Sequence, residues 1–120
     1  MHYVNKVVLS SADGSTKNGD TLDSQQWVTA SFQIFTGGTG DSGTVKLQIS
    51  NDVYNANNMA APANFQPTNW SDLPNATSSV ASGVGPPITV ANVAYRWMRA
   101  VYTRSGGSEA ITIQMFAIYP

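Results

Sequence analysis

The 120-residue sequence contains no cysteine and a single histidine, His2. Without thiols the chain forms neither a disulfide framework nor a thiolate metal site. His2 lies next to the N-terminus, where it has no defined pocket for a Ser-His-Asp triad and no second imidazole with which to share a metal. We therefore expect one hydrophobic core to hold the domain together, with no metal and no cofactor.

Charged residues are scarce. They make up 11% of the chain, against about 25% in typical soluble domains. The six Lys and Arg are scattered among seven Asp and Glu, whereas polyanion binding relies on clustered basic residues. We therefore expect no nucleic-acid partner. The polarity comes mostly from Ser, Thr, Asn and Gly, which suits an extracellular or particle-bound protein whose surface contacts neighbours. The alternative is a domain solvated by hydroxyl and amide groups.

Long apolar runs are also missing. No run approaches the ~20 residues of a membrane span, and the segment Met1–Lys6 lacks the basic region and apolar stretch of a secretory leader. We expect a protein that is made in a cytoplasm and either stays soluble there or leaves the cell only on lysis.

The acidic residues offer no catalytic pattern. Nearly all are Asp in turn-forming segments, where the side chain commonly bonds to nearby backbone amides. A glycosidase needs two carboxylates at a set distance, which loop Asp residues supply poorly although the sequence does not exclude them. Neither the Asp20–Asp23 segment nor the one after Asn51 matches the spaced ligands of an EF-hand. We expect a protein that is not an enzyme.

The sequence is rich in short segments with alternating apolar residues. In Trp27–Thr36 one face carries Val28, Ala30, Phe32 and Ile34. Thr44–Ser50 and Ala110–Ile118 alternate in the same way, and Gly, Pro, Asn and Asp separate such segments. This pattern predicts an all-β chain: an antiparallel β-sandwich or jelly roll of about eight short strands.

The spacing of these segments predicts one domain over residues 1–120, with an inserted loop at about residues 51–68. Glycine-rich stretches at 36–43 and 104–108 separate pairs of alternating segments. Such stretches predict hairpin connections, the second of which joins Ala94–Thr103 to Ala110–Ile118.

Several predicted strands are apolar on both faces. Phe116 and Ile118, for example, lie opposite the core-facing set of the last strand. Strands of this kind are usually covered on both faces, and exposed apolar patches mark contact surfaces. Either a loop or another subunit accounts for the pattern. The candidate subunit contacts are Trp27, Phe35, Tyr54, Phe65, Trp97 and Phe116.

Two arginines, Arg96 and Arg99, are further interface candidates. A guanidinium forks onto a carboxylate, which lies either on a neighbouring subunit or on the same chain as a surface pair. A second kind of site is suggested by Trp70, flanked by Asn69 and Asp72. An aromatic ring beside amide and carboxylate groups is suited to stack on a sugar, whereas a Trp that anchors the inserted loop has the same surroundings in sequence.

Two strings of residues resemble a signature of small tailed-bacteriophage virion proteins. Ser50-Asn51-Asp52 is followed by Thr68-Asn69-Trp70-Ser71-Asp72-Leu73, and later by a strand-like segment, Tyr95–Thr103. A Gly/Ser turn and a final alternating strand complete the likeness, which runs from about Gln26 to Ile118. The insertion Val53–Pro67 departs from the pattern, because shorter members have only a few residues there.

The resemblance implies a structural role in a phage particle and identifies no catalytic residues. Many of its members are small sandwiches or jelly rolls that cement or decorate the capsid, often as dimers or trimers, and others lie in the neck, tail or fibres. The implied partners are the major capsid protein or other virion proteins, and the implied location is the capsid surface. Because similar strings occur in adhesive discoidin-like modules, the alternative is a carbohydrate-binding or tail-fibre adhesion module.

Overall fold

The computed structural model describes residues 1–11, 16–38, 40–53 and 65–120, which form antiparallel strands and no helix. The all-β sandwich prediction is confirmed, with nine strands among the described residues. The strands are β1 (His2–Ser11), β2 (Lys17–Asn18), β3 (Leu22–Asp23), β4 (Thr29–Thr36), β5 (Ser42–Ser50), β6 (Ser71–Val80), β7 (Ile88–Ala91), β8 (Trp97–Gly106) and β9 (Ile111–Tyr119).

The strands form two sheets. Sheet A has the order β1-β9-β4-β7, and sheet B has the order β2-β8-β5-β6, with β3 also pairing with β8. The inner faces of the two sheets meet in one apolar core. Its largest fully buried side chains include Phe32, Leu47, Met98, Tyr102 and Met115. Burying each of these side chains contributes about 1.5–3 kcal/mol. The apolar residues that alternate in the sequence therefore stabilise the sandwich by meeting in its core.

Most of the alternating positions face the core as predicted. Ala30, Phe32 and Ile34 of β4 are buried. Val28 is not, because it precedes the strand and is 51% exposed. Strand β6 runs without a break from Ser71 to Val80 and continues through Pro74 by means of an irregular register opposite Leu47.

Both predicted hairpins are wrong. Strand β4 belongs to sheet A and β5 to sheet B, and likewise β8 belongs to sheet B and β9 to sheet A. The glycine-rich segments therefore cross from one sheet to the other. The alternation of apolar residues indicates which face of a strand is buried. Two consecutive strands show the same alternation whether they pair as a hairpin or lie in different sheets.

Asp41 ties the two crossings together. Its side chain is 1% exposed, its Oδ1 accepts a hydrogen bond from the Glu109 backbone N–H (3.1 Å), and its carbonyl accepts one from Gly83 N–H (3.1 Å). Gly107 has φ +81° and packs so closely that an added Cβ would lie 2.7 Å from Asp41 Oδ1. A residue with a side chain is excluded there by both backbone conformation and space.

The outermost strands have irregular features. Strand β1 has a register shift between Val7 and Leu9, and both Val8 and Leu9 are buried there. Strand β7 has only four residues and follows Pro86-Pro87. Strand β6 contains Pro74, followed by Asn75 with φ 62°.

Candidate interaction surfaces

On sheet B, Asp52 joins the two ends of the inserted loop. Its Oδ2 accepts hydrogen bonds from the backbone N–H groups of Thr68 (2.8 Å) and Asn69 (2.9 Å), and its Oδ1 accepts one from Asn69 Nδ2 (3.0 Å). These bonds, chiefly that from the Asn69 backbone, hold the pKa of Asp52 below its usual value. The two strings that carry the virion-protein resemblance are thus in direct contact.

Trp97 is buried beside this junction. It is 8% exposed, and its Nε1 donates a hydrogen bond to the carbonyl of Asp52 (3.1 Å). The Phe65 ring centroid lies 5.6 Å from that of Trp97, and the Arg96 guanidinium carbon lies 4.6 Å from the Trp97 ring centroid. The expectation that Trp97 is an available contact residue is therefore wrong, because residues of its own chain cover it.

Trp70 is half-buried and takes part in a similar packing arrangement. Its Nε1 donates a hydrogen bond to the Pro67 carbonyl (3.1 Å), and the guanidinium carbon of Arg99 lies 4.4 Å from its ring centroid. Arg99 Nε also donates to Gln48 Oε1 (2.8 Å). Partial burial lowers the pKa of Arg99. The Arg99 guanidinium therefore contacts residues of its own chain, Trp70 and Gln48.

Asp72 completes a row of polar side chains across β8, β5 and β6. It accepts hydrogen bonds from Gln48 Nε2 (3.0 Å) and Lys46 Nζ (3.1 Å), which together lower its pKa. Asn69 donates to Asp52, as described above. The amide and carboxylate that a sugar at Trp70 would require thus already have partners within sheet B.

The outer face of sheet A is different. Pairing across β1, β9, β4 and β7 places one set of side chains on this face, which we call the neutral face. Each member is uncharged and at least partly exposed. The members are Tyr3, Asn5, Val7, Ser10, Thr29, Ser31, Gln33, Phe35, Thr89, Ala91, Thr112, Gln114, Phe116 and Ile118.

Four apolar or aromatic side chains stand out on the neutral face. Tyr3 is 70% exposed, Val7 50%, Phe35 49% and Phe116 40%. The rings of Tyr3 and Phe116 are in contact, with centroids 5.6 Å apart. Phe35 and Phe116, two of the predicted contact residues, therefore share this face, whereas Phe65, Trp97, Arg96 and Arg99 belong with sheet B. Tyr54 lies outside the described residues.

Trp27 lies on neither face. It contributes to an open cleft of about 310 Å³ at one end of the sandwich, lined also by Asp23, Gln25, Gln26 and Tyr119. Sequence reasoning missed the other four residues as a group, because Tyr119 is distant from them in the chain and a pair of glutamines in a turn has no distinctive pattern. The feature of the sequence that could have indicated the cleft is Trp27 directly after Gln25 and Gln26, an aromatic residue next to polar ones.

In the described ranges, no group of three or more His, Asp or Glu side chains is placed to hold a metal ion. The same part of the chain contains no helix long and apolar enough to cross a membrane.

No protein-family model matches the chain, and no curated protein matches its sequence. Among solved structures, the crystal structure of the SPBc2 prophage-derived protein YomS is similar, with a TM-score of 0.55 and 9% sequence identity. The similarity covers 97% of this chain and 92% of that one. At this identity the comparison shows a shared fold, and it extends over nearly the whole of both chains.

Proposed function

We propose that this protein is a structural, non-enzymatic component of a bacteriophage particle, a cement or decoration protein that stabilises the capsid shell from its surface. The observation that carries the proposal is the neutral face of sheet A. The sandwich fold shared with a prophage-derived protein and the residues resembling the virion-protein signature support a phage context.

The composition of the neutral face suits burial against another protein. Covering a charged group costs several kcal/mol unless it is paired, whereas hydroxyl and amide groups need only hydrogen-bond partners. Tyr3, Val7, Phe35 and Phe116 contribute apolar area, worth about 25 cal/mol per Å² removed from water. Depletion of charge together with enrichment of aromatic residues is the compositional mark of the centre of an interface.

The proposed partner is the major capsid protein or another virion protein, encountered in the host cytoplasm during assembly. Each contact between a cement protein and the shell stabilises it only modestly. Because the shell repeats the contact many times, the total stabilisation is large. The protein itself is proposed to form a dimer or trimer, and to bind neither nucleic acid nor membrane.

A charge placed on the neutral face tests the proposal. The protein is co-expressed with the major capsid protein of the phage that encodes it, and the shells are sedimented. We expect the wild-type protein to sediment with the shells and Phe116→Asp to remain in the supernatant, because a carboxylate would be buried without a partner. Thr103→Asp, at an exposed position on the outer face of sheet B, should sediment like wild type.

Light scattering over a concentration series tests the oligomer separately. A dimer or trimer that Phe116→Asp dissociates would place the self-contact on the neutral face. If the wild-type protein fails to sediment with shells, or if both variants sediment equally well, the capsid role of this face is contradicted.

A further inference from the structure

The cleft at the end of the sandwich is formed by a tight turn and a strand end. Trp27 N–H donates to the Ser24 carbonyl (3.1 Å), closing a turn with Gln25 and Gln26 at its tip. Val28 N–H donates to the Ile118 carbonyl (2.8 Å). This bond brings the residues next to it, Trp27 and Tyr119, to the same end of sheet A.

Ser24 anchors the Ser24–Trp27 turn to the segment that precedes β8. Ser24 is fully buried, its N–H donates to the Arg96 carbonyl (2.9 Å), and its Oγ donates to the Tyr95 carbonyl (2.6 Å). Gln25 N–H donates to Asp23 Oδ1 (3.2 Å), which further fixes the turn. The cleft is thus built on a rigid support, and a preformed site loses less entropy on binding.

Arg96 sets the charge of the cleft. One guanidinium nitrogen lies 3.7 Å from Asp23 Oδ2, another donates to Gln25 Oε1, and the guanidinium packs on Trp97. The negative charge of Asp23 is thereby balanced by a neighbouring positive one. A ligand in the cleft meets carboxylate and amide groups with little net charge, which favours a neutral molecule with many hydroxyl groups.

Two aromatic rings complete the cleft. Trp27 and Tyr119 are both half-buried, with Trp27 packed against the core and Tyr119 stacked on His2 (centroids 5.5 Å apart, planes at 27°). Within the described residues, no hydrogen bond engages the Trp27 indole N–H or the Gln26 side-chain amide. These groups, unlike those around Trp70, are available to a ligand.

From this arrangement we propose that the cleft binds a neutral saccharide, with a pyranose ring packed on Trp27 or Tyr119. The apolar C–H face of the sugar contacts the ring, and its hydroxyls bond first to the Gln26 amide and the Trp27 indole N–H, the groups without a partner among the described residues. Gln25 and Asp23, which Arg96 already engages, border the cleft and offer only their remaining lone pairs. The volume of 310 Å³ lies at the lower end of the range of about 300–1,000 Å³ for small-ligand sites, which suits one or two sugar units. This site is separate from the neutral face and does not depend on the capsid role.

The test follows the indole N–H signals of the three tryptophans by NMR in the ¹⁵N-labelled full chain. Trp27→Phe and Trp70→Phe assign the signals. The probes are the methyl glycosides of glucose, galactose, mannose, rhamnose and N-acetylglucosamine, added singly to about 20 mM, well above a Kd of about 1 mM. Methyl glucuronide serves as the charged counterpart.

We expect the Trp27 signal to shift saturably with at least one neutral glycoside, while the Trp70 and Trp97 signals stay in place and methyl glucuronide binds more weakly. Gln26→Ala should raise the Kd about 2- to 10-fold through a lost hydrogen bond. Gln33→Ala, an exposed glutamine on the neutral face, is the matched control and should leave the Kd unchanged. Urea unfolding of both variants verifies that they fold.

The proposal is overturned if no glycoside moves the Trp27 signal. It is also overturned if the Trp70 signal moves in place of Trp27, because that would put the sugar at the Asn69–Asp72 segment. Either result would leave the capsid proposal standing, since sedimentation with shells is measured independently.

Discussion

The two outer faces of this sandwich contrast sharply. Sheet B displays charged side chains whose groups are matched by neighbours on the same sheet, as when Asp72 accepts from Lys46 and Gln48. Sheet A displays no charge on its neutral face and exposes the rings of Tyr3, Phe35 and Phe116. One face is completed by its own chain and the other is suited to be completed by a neighbour. Polar groups on an outer face therefore do not by themselves show whether the chain itself or a partner completes that face.

The sharpest way to break this comparison is to remove one large aromatic residue from each face. Trp97→Ala should cost about 3–5 kcal/mol of unfolding free energy, because Trp97 is buried and large-to-small changes leave a cavity. Phe116→Ala should cost less, about 1–2 kcal/mol in the isolated protein, because the residue is 40% exposed and contributes only part of what a fully buried ring does. Urea unfolding of both variants measures the difference, and equal losses would show that the two faces are equally structural.

A smaller effect is expected from acid, and it should distinguish the same two faces. The folded-state pKa values of Asp52 and Asp72 are lowered, so their ionised forms stabilise the fold above the ordinary value of about 4, and this contribution is lost as the pH falls below it. Amide exchange should therefore increase first at Thr68 and Asn69, whereas the β4–β9 pairing of sheet A should stay protected.

The matched variant is Asp52→Asn with Asp72→Asn. Its stability should change less between about pH 5 and pH 2 than that of the wild-type protein, since two lowered carboxyl pKa values are gone. An identical acid response in the double variant would assign the effect to other carboxyl groups.

The smallest expected change concerns the cation on Trp70. Arg99→Lys keeps the charge but loses the planar group that lies over the indole and donates to Gln48. We expect a loss of about 0.5–1 kcal/mol, as for other partly exposed cation–π contacts. The control is Arg104→Lys, at an exposed position where the guanidinium donates to the Gly107 carbonyl, measured by the same urea titration. A loss no larger than that of the control would mean that the contact with the Trp70 ring adds nothing beyond an exposed hydrogen bond.

Much of the fold was predictable because alternation directly reports burial. Phe32 and Ile34 on β4, and Ile113 and Met115 on β9, face the core as the pattern indicated. Strand pairing was not predictable in the same way. The segments at 36–43 and 104–108 are rich in glycine whether they close a hairpin or cross between sheets, and only the strand pairing in three dimensions distinguishes the two.

The surface on which each candidate contact residue lies was predictable only in part, for a related reason. Phe35 and Phe116 lie on the neutral face, but Trp97 has the same position in the alternation and is covered by Phe65 and Arg96. The sequence pattern of an apolar residue on an outer face is the same whether a loop of the same chain or a partner covers it. The cleft was missed because its two halves are 90 residues apart in sequence and meet only through the pairing of β4 with β9, which the Val28–Ile118 bond extends.

The irregular outermost strands have a consequence for the proposed role, in which many copies would be crowded on a repetitive shell. A regular edge strand presents unpaired backbone groups that can add a strand from the next molecule and begin an aggregate. The register shift beside Val8, the proline pair before β7 and Pro74 in β6 each interrupt such an edge. Neighbouring copies can therefore be crowded side by side while their sheets remain separate, so that contact is confined to the faces.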